Sequence, residues 1–321
     1  MRRRRAAGWL LLRAAAIALA AAPVARAGDG PLDFAAIGAW HQDRQAEALV
    51  AFRATCDRLE GQVWGPLCAL AADVPADDAS ARAFFEIFFR PVPSVSAGAS
   101  PALFTGYYEP VLEGSLTRTA RFAWPIYRRP PELRDGAVFL TRSAIDGGAL
   151  SGRGLEIAWL ESAEAVFNLQ MQGSGRIRLQ DGTVIRVGYA GRNGHGAPAG
   201  VLGVAAANPS YVFFRRIDRL PAASGPIGAM GRPLTPLRSI AVDPAHVTLG
   251  APVWIETEGS TPLSRLMIAQ DTGGAIKGAG RADIFFGMGG RAGQTAGRVR
   301  TGGRILVLLP IELALAPGEE P

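Results

Sequence analysis

The chain has 321 residues, 48% of them hydrophobic, and a formal net charge of +6, a length that suits one large domain or two ordinary ones. Residues 1–27 hold six of the 34 lysines and arginines and no acid, so the rest of the chain carries 28 basic and 28 acidic side chains and no net charge. Bulk charge therefore gives no support for nucleic-acid binding. The 40 glycines and 23 prolines indicate many turns, and short strands more than long helices.

The first 27 residues have the layout of a secretory signal peptide. Arg2–Arg5 form a basic start, a mostly apolar segment interrupted by Arg13 follows, and Ala25–Ala27 provides a cleavage site with small residues. The alternative, a membrane anchor, needs about 20 unbroken apolar residues, and Arg13 and Pro23 interrupt this run. No cysteine lies near the predicted cut to carry a lipid. The sequence therefore predicts an exported, soluble protein without stable membrane insertion.

Cys56 and Cys68 are the only cysteines. An even count in an oxidising compartment favours a disulfide that closes a short loop; two thiols buried in a pair of helices are the alternative. The three scattered histidines, His41, His195 and His246, add no recognisable zinc-site spacing. The sequence predicts neither a metal site nor another cofactor.

Two further segments precede the centre of the chain. Between residues 33 and 89 apolar residues recur at helical spacing, which predicts packing helices. Residues 103–110, LFTGYYEP, predict a strand that leaves into a loop. Thr105, Tyr107 and Tyr108 are candidates to face a sugar, because aromatic rings stack on sugar faces and a hydroxyl can orient a neighbouring carboxyl. Strand aromatics in a core are the alternative.

The clearest local signal lies at residues 176–189, where two alternating runs flank Asp181-Gly182, the signature of a two-residue hairpin turn. Glycine-rich clusters with amides, a serine and an asparagine lie on either side, at residues 170–175 and 189–195, and suit hydrogen bonds to a polyhydroxylated ligand. Neither cluster has the strand–GxGxxG–helix context of a dinucleotide site, and the chain has no GxxxxGK phosphate loop. Ser174 also lacks the nucleophile elbow of a serine hydrolase.

From Arg238 onward, short strands with glycine-rich crossings indicate a closed or nearly closed barrel. Asp243 and Asp271 each end an apolar run, and Asp283 lies within the apolar run 282–286. Burial of Asp283 beside apolar side chains would raise its pKa and keep it protonated near neutrality, as a general acid requires. Three aspartates that cap turns are the alternative.

Seven motifs carry a resemblance to a known family. They are FTGYYEP (104–110), PIYRRPP (125–131), QGSGRI (172–177), GYAGRNGH (188–195), NPSYVFF (208–214), RSIAVD (238–243) and AQDTGGAIKGAGRADIFFG (269–287). In this order they resemble the membrane-bound lytic murein transglycosylase A family, from about residue 40 to residue 310. The terminal portion resembles the 3D domain, which is named for its three aspartates.

The resemblance implies a mainly β fold with N-terminal helices. A second β-rich domain would be inserted into a double-psi β-barrel, with the substrate cleft between them. The implied boundaries are a signal peptide at 1–27, a helical region with the first part of the barrel at 28–110, the inserted domain at 111–225, and the remainder of the barrel, the 3D domain, at 226–321.

The resemblance also implies cleavage of the β-1,4 bond between N-acetylmuramic acid and N-acetylglucosamine in peptidoglycan, without water, to leave a 1,6-anhydro sugar. By the R-A-D-I-F motif the catalytic aspartate is Asp283; Asp271 and Asp243 match the other two aspartates, and Thr105 matches a threonine close to the acid. The candidate substrate contacts are Gly106, Tyr107, Gln172, Ser174, Tyr189, Asn193 and Lys277. Glycan strands are the expected partner, and other cell-wall enzymes are candidates.

The chain departs from the family at two points. Between Gly196 and Asn208 it has only eleven residues, where the family usually carries several tens, so the inserted domain is shorter and the cleft wall could differ. The best-known members carry a lipid anchor, whereas this chain has no lipobox cysteine. Release into the periplasm is therefore the expectation.

Two other functions stay open at this point. An inverting hydrolase on the same barrel would use Asp271 as the base for a water and would release reducing ends. A non-catalytic murein-binding protein would bind glycan without turnover. The presence of all three aspartates and of Thr105 argues against the second.

Overall fold

The computed structural model describes residues 30–96, 98–196, 207–259 and 262–316. The predicted signal peptide and nearly all of the shortened segment after Gly196 lie outside the described residues. Within those ranges no helix combines the length and the apolar character that crossing a membrane requires.

Helices form the N-terminal part of the described chain. Their bounds are α1 Gln45–Arg53, α2 Trp64–Asp73 and α3 Asp78–Phe88. Asp77 is the N-cap of α3, because its carboxylate accepts a hydrogen bond from the Ser80 amide at 2.8 Å. Phe52 on α1 and Phe85 on α3 are fully buried, with ring centroids 6.3 Å apart. The helical prediction for this region is therefore confirmed.

Cys56 and Cys68 form a disulfide, with their Cα atoms 5.4 Å apart. It joins the short turn Cys56–Arg58 to α2 and closes a loop with a sequence separation of 12 residues. The chain-entropy treatment gives a loop of this size about 3 kcal/mol of stabilisation. The disulfide prediction is confirmed, and the alternative of two free thiols is wrong.

The rest of the described chain is mainly β. Its strands are β1 Phe89–Pro93, β2 Leu103–Glu109, β3 Val111–Ser115, β4 Trp124–Tyr127, β5 Glu156–Leu160, β6 Ser174–Arg178, β7 Val184–Arg192, β8 Val212–Arg216, β9 Ser239–Val242, β10 Pro252–Thr257, β11 Ser264–Thr272, β12 Arg281–Met288, β13 Arg300–Thr301 and β14 Gly303–Pro310. The remaining helices are α4 Arg142–Ala144, which continues into a π-helical turn Ile145–Ala149, α5 Ala163–Gln172, α6 Gly289–Ala296 and α7 Ile311–Ala314.

The first sheet has eight strands in the order β1-β14-β10-β11-β9-β12-β2-β13. Its edge strands are β1 and β13, which pair with β14 and β2 respectively. A backbone hydrogen bond of 3.0 Å from the Ala102 amide to the Gly303 carbonyl brings the start of β2 close to the start of β14. The sheet therefore curls towards the predicted barrel, and it is built from strands that precede and strands that follow the second sheet in sequence.

The barrel strands are apolar on both faces where helices cover them. Residues 266–269 of β11 are fully buried, and α1 packs against this strand. Trp254 on β10 meets Trp40 with ring centroids 5.1 Å apart. Each large apolar side chain buried in this way contributes about 1.5–3 kcal/mol, so the helices and the barrel share one core.

The second sheet has the order β4-β5-β3-β6-β7-β8. Strands β6 and β7 are antiparallel, and Gly182 in the turn between them has φ of +83°, so the predicted hairpin is confirmed. Helix α5 was not predicted. Its signals are local: Ser162 caps it by accepting from the Ala165 amide at 3.1 Å, and Val166 and Leu169 are its buried apolar residues.

Glu109 lies where the chain passes from the first sheet to the second. It ends β2, and its side chain is only 1% exposed. Arg176 and Arg186, from β6 and β7, each bind its carboxylate at 2.9 Å. The same two guanidinium groups donate to carbonyls of the returning segment 221–224. This buried triad ties the outgoing and returning chain segments to the second sheet.

Candidate active site

Asp283 lies on β12, between β2 and β9. Thr105 is its partner in the parallel pair with β2, and Ala241 is its partner on β9. On the far side of β9, an irregularity at Gln270 places Asp271 opposite the same Ala241. The backbones of the two aspartates are therefore about 10 Å apart, two strand spacings.

The Asp283 carboxyl is held by a chain of two hydrogen bonds. Thr105 Oγ1 donates to Asp283 Oδ1 at 2.6 Å, and Arg281 Nη2 donates to Thr105 Oγ1 at 2.6 Å. Arg281 also donates to the carbonyls of Leu103 and Ala282, which fixes its guanidinium. Because a guanidinium only donates, the Thr105 oxygen accepts from Arg281 and directs its single proton to Asp283.

Burial raises the pKa of Asp283 above its ordinary range, and the Thr105 hydrogen bond and the Arg281 charge offset only part of that rise. With Oδ1 already accepting from Thr105, the acidic proton of the neutral form belongs on Oδ2. The site therefore contains one proton donor with a defined donating oxygen, as general acid catalysis requires.

Asp271 is also half-buried, but its oxygens accept more hydrogen bonds. Tyr107 Oη donates to Oδ2 at 2.9 Å, and the amides of Ala229 and Thr272 donate to Oδ1 at 2.9 Å each. Burial raises the pKa of Asp271 to about 6 in spite of these donors, and the nearby charge of Asp283 adds to the rise. Asp271 is therefore a second carboxyl close enough to influence Asp283 electrostatically.

Asp243 lies at the end of β9 and binds the loop between the other two aspartates. Its carboxylate accepts from the Gly278 amide at 2.9 Å and lies 3.5 Å from Lys277 Nζ. The Gly278 amide is the main reason that its pKa is lowered. These contacts match the turn-capping alternative for Asp243, and no hydrogen bond among the described residues joins it to Asp283 or Asp271.

Two predicted sugar contacts on β2 have protein partners instead. A Cβ at Gly106 would overlap Phe286 and Ala296, so Gly106 lets β2 approach α6 and has no side chain to bind a sugar. Tyr107 is 9% exposed, and its hydroxyl is committed to Asp271. Tyr107 therefore positions Asp271.

The predictions for the glycine-rich clusters need correction at two residues. Asn193 is fully buried; its amide nitrogen donates to two carbonyls and its oxygen accepts from Tyr211, so it cannot reach a sugar. Ser174 is also buried, at the start of β6. Gln172 accepts from the Tyr108 amide at 3.0 Å, which joins α5 to β2 beside the site.

Tyr189 and Lys277 remain accessible candidates for substrate contacts. Tyr189, on β7, is 47% exposed. The Lys277 side chain is 65% exposed even though its Nζ lies near Asp243. Both stay predictions.

The matches to known proteins agree with this arrangement. The MltA specific insert domain matches residues 103–199, and the 3D domain matches residues 238–309. The crystal structure of MltA from Neisseria gonorrhoeae, in a monoclinic form, is 32% identical, with coverage of 91% of this chain and 94% of that chain and a TM-score of 0.76. The chain belongs to the membrane-bound lytic murein transglycosylase A family.

Two more members show how far the similarity extends. The crystal structure of Escherichia coli MltA with bound chitohexaose is 27% identical, with coverage of 84% of this chain and 91% of that chain and a TM-score of 0.67. The membrane-bound lytic murein transglycosylase A of Vibrio cholerae is 32% identical over 244 residues, which are 63% of this chain and 64% of that protein. The sequence alignment thus spans slightly less than two thirds of that relative's length.

Two residues of this MltA-family site were missed by sequence reasoning. Arg281 precedes Asp283 by two positions on β12, and this spacing places both side chains on one face of the strand. The two-residue period of a strand could therefore have predicted that Arg281 lies beside Asp283. Arg192 ends β7, and its guanidinium lies against Gly274, where an added Cβ would overlap it. Gly274 follows Asp271 by three positions, so Arg192 connects the second sheet to the rim of the site.

We expect Asp271→Asn to stabilise the protein at pH 7 more than at pH 4. The folded-state pKa is raised from 3.8 to about 6, so the destabilisation from charging Asp271 is absent below the unfolded pKa and complete above the folded one. This pKa difference corresponds to at most about 3 kcal/mol, and solvent contact reduces the expected gain to about 1 kcal/mol. Urea unfolding at both pH values measures it, and an equal gain at both would contradict the raised pKa.

Proposed function

We propose that this protein is an exported peptidoglycan lytic transglycosylase that cleaves the β-1,4 bond between N-acetylmuramic acid and N-acetylglucosamine and leaves 1,6-anhydro ends. The observation that carries the proposal is the Asp283 carboxyl, whose Oδ1 accepts a hydrogen bond from Thr105 and whose pKa is raised by burial. The names of the MltA relatives and the chitohexaose bound to one of them support a glycan substrate.

The chemistry needs only one such group. Asp283 protonates the glycosidic oxygen as its bond to C1 of the muramic acid breaks. The Asp283 carboxylate then takes the proton from the 6-hydroxyl of the same sugar while that oxygen bonds to C1. Because the nucleophile belongs to the substrate, the ring closure is intramolecular and gains from proximity and orientation.

Asp271 has fewer free lone pairs than Asp283 for activating a water as the base of an inverting hydrolase. Three donors already bind its two oxygens, and a carboxylate offers about four lone-pair sites. Burial and the nearby charge of Asp283 raise the pKa of Asp271 to about 6, so the two carboxyls interact electrostatically. We therefore assign Asp271 and Tyr107 to positioning and electrostatic roles.

Mass analysis of the sugars released from purified peptidoglycan tests the function. Products one water lighter than hydrolysis products are expected. Reducing-end products would assign an inverting hydrolase with Asp271 as the base. Binding of peptidoglycan without any released sugar, by a folded protein, would assign the non-catalytic alternative.

Thr105→Val should move the alkaline limb of the pH–rate profile upward. Thr105 stabilises the charged form of Asp283, so its loss raises the pKa of that acid and keeps it protonated to higher pH. A hydrogen bond to a charged group is worth about 1.5–3 kcal/mol, or about one to two pH units. Thr105→Ser keeps the hydroxyl donor and should give the wild-type pH–rate profile. If the alkaline limb of Thr105→Val lies at the same pH as that of the wild-type protein, Thr105 does not tune the pKa of Asp283.

A further inference from the structure

The edges of the second sheet meet at a seam. Arg128, just after β4, forms a bridge with Phe214 of β8, so the first and last strands of that sheet come together. A cavity of about 470 Å³ opens there. It is lined by Arg128, Arg129, Glu156, Ile157, Ala190, Phe214, Arg215 and Arg216.

The charges around this seam cavity are unbalanced. Among the lining residues four are arginines and only Glu156 is acidic. Arg129 binds the exposed Asp135 at 2.8 Å, and Arg216 lies 3.8 Å from Asp218. Across the described ranges, no acidic side chain lies within ion-pair distance of the other two, Arg128 and Arg215.

Other arginines near the centre of the molecule are matched by acids. Glu109 binds Arg176 and Arg186, and Arg238 binds the buried Asp43 at 2.8 Å. Like charges gathered without counter-charges attract anions and destabilise the empty site. The planar guanidinium binds carboxylates in a bidentate geometry, so a carboxylate is the ligand group that suits this cavity.

The seam cavity is connected to the rim of the active site through β7. Ala190 lines the cavity, and Arg192, about 7 Å further along the strand, lies against Gly274 in the loop after Asp271. The seam cavity and the rim of the active site are therefore joined by one strand, β7.

We propose that the seam cavity binds the carboxylates of the stem peptides that branch from muramic acid, and that the protein consequently prefers peptide-substituted glycan. This inference rests on the proposed function. Arg128 and Arg215, both exposed, provide the charges that lack acidic partners.

The test compares cleavage of intact peptidoglycan with cleavage of glycan strands from which an amidase has removed the peptides. The double variant Arg128→Gln/Arg215→Gln should lose the wild-type preference for the intact substrate by about tenfold, through KM, and should cleave bare strands at the wild-type rate. Arg121→Gln/Arg178→Gln is the matched control. It removes two exposed, acid-paired arginines of the same region and makes the same change in net charge, and it should keep the preference.

If the control variant loses the preference for intact substrate equally, the effect is a general attraction between net charges and the proposal is overturned. A wild-type protein that cleaves both substrates equally would also overturn it. If the wild-type protein releases no anhydro sugar from either substrate, the proposed function fails. The peptide site is then decided separately by calorimetric titration with a synthetic stem tetrapeptide. Binding that is lost on amidation of its carboxylates, or in the double variant, supports the site, and no binding by the wild-type protein overturns it.

Discussion

Asp283→Asn should reduce the release of anhydro sugars by about 10²- to 10⁴-fold, the usual contribution of a positioned acid or base. Asparagine has the shape of the aspartate and can still accept the Thr105 hydrogen bond at Oδ1, but its amide cannot protonate the leaving oxygen. The variant should fold and should keep the wild-type affinity for glycan strands. The rate of product release and a glycan titration, measured on the same sample, separate chemistry from binding.

Asp146→Asn provides the matched control for that change. Asp146 is an exposed aspartate in the π-helical turn Ile145–Ala149, and partial desolvation by its neighbours raises its pKa as well. A raised pKa alone should not make it necessary, so its variant should retain wild-type turnover. A near-normal rate for Asp283→Asn would remove Asp283 as the acid, and the search would move to Asp271.

Glu109→Ala should have the largest effect on folding stability. It leaves the guanidinium groups of Arg176 and Arg186 buried with carbonyl partners only, and breaking a buried ion pair by removing one partner costs about 3–5 kcal/mol. Because the triad sets how the second sheet meets the barrel, kcat/KM on peptidoglycan should fall as well. Urea unfolding measures the first effect, and small-angle scattering detects a changed arrangement of the two sheets.

Glu113→Ala is the comparison for Glu109→Ala. Glu113 pairs with Arg178 at 3.0 Å, but both side chains are exposed, and an exposed pair contributes at most about 1 kcal/mol. Similar destabilisation in the two variants would show that the buried triad is not what holds the sheets together.

Local patterns were sufficient for several features of this protein. The Asp181-Gly182 turn between alternating runs predicted the hairpin of β6 and β7, because two residues and their flanking periodicity determine such a turn. The apolar residues next to Asp283 in sequence predicted its raised pKa, because residues that flank it on a barrel strand are themselves buried. The ordered motifs identified the family, and with it the barrel and the inserted second sheet.

Asn193 shows where local patterns fail. A short polar side chain beside glycines can bind a ligand, but it can equally well be buried and join two loops by hydrogen bonds. Only the fold shows that Leu140 and Tyr211 lie close enough to use its hydrogen-bonding groups. Helix α5 was missed for a related reason, since its glycine-rich C-terminal end was read as part of a ligand-binding loop.

The sequence by itself determined the β6–β7 hairpin, the family and the residue types available for catalysis. The tertiary structure alone decided which of them meet: Thr105 and Asp283 are 178 positions apart, and only the parallel register of β2 with β12 makes them partners. The same holds for the seam, where Arg128 meets the arginines of β8 because the second sheet curls until its edges touch. Contacts of this kind depend on register and closure, which are set by the burial of the whole sheet.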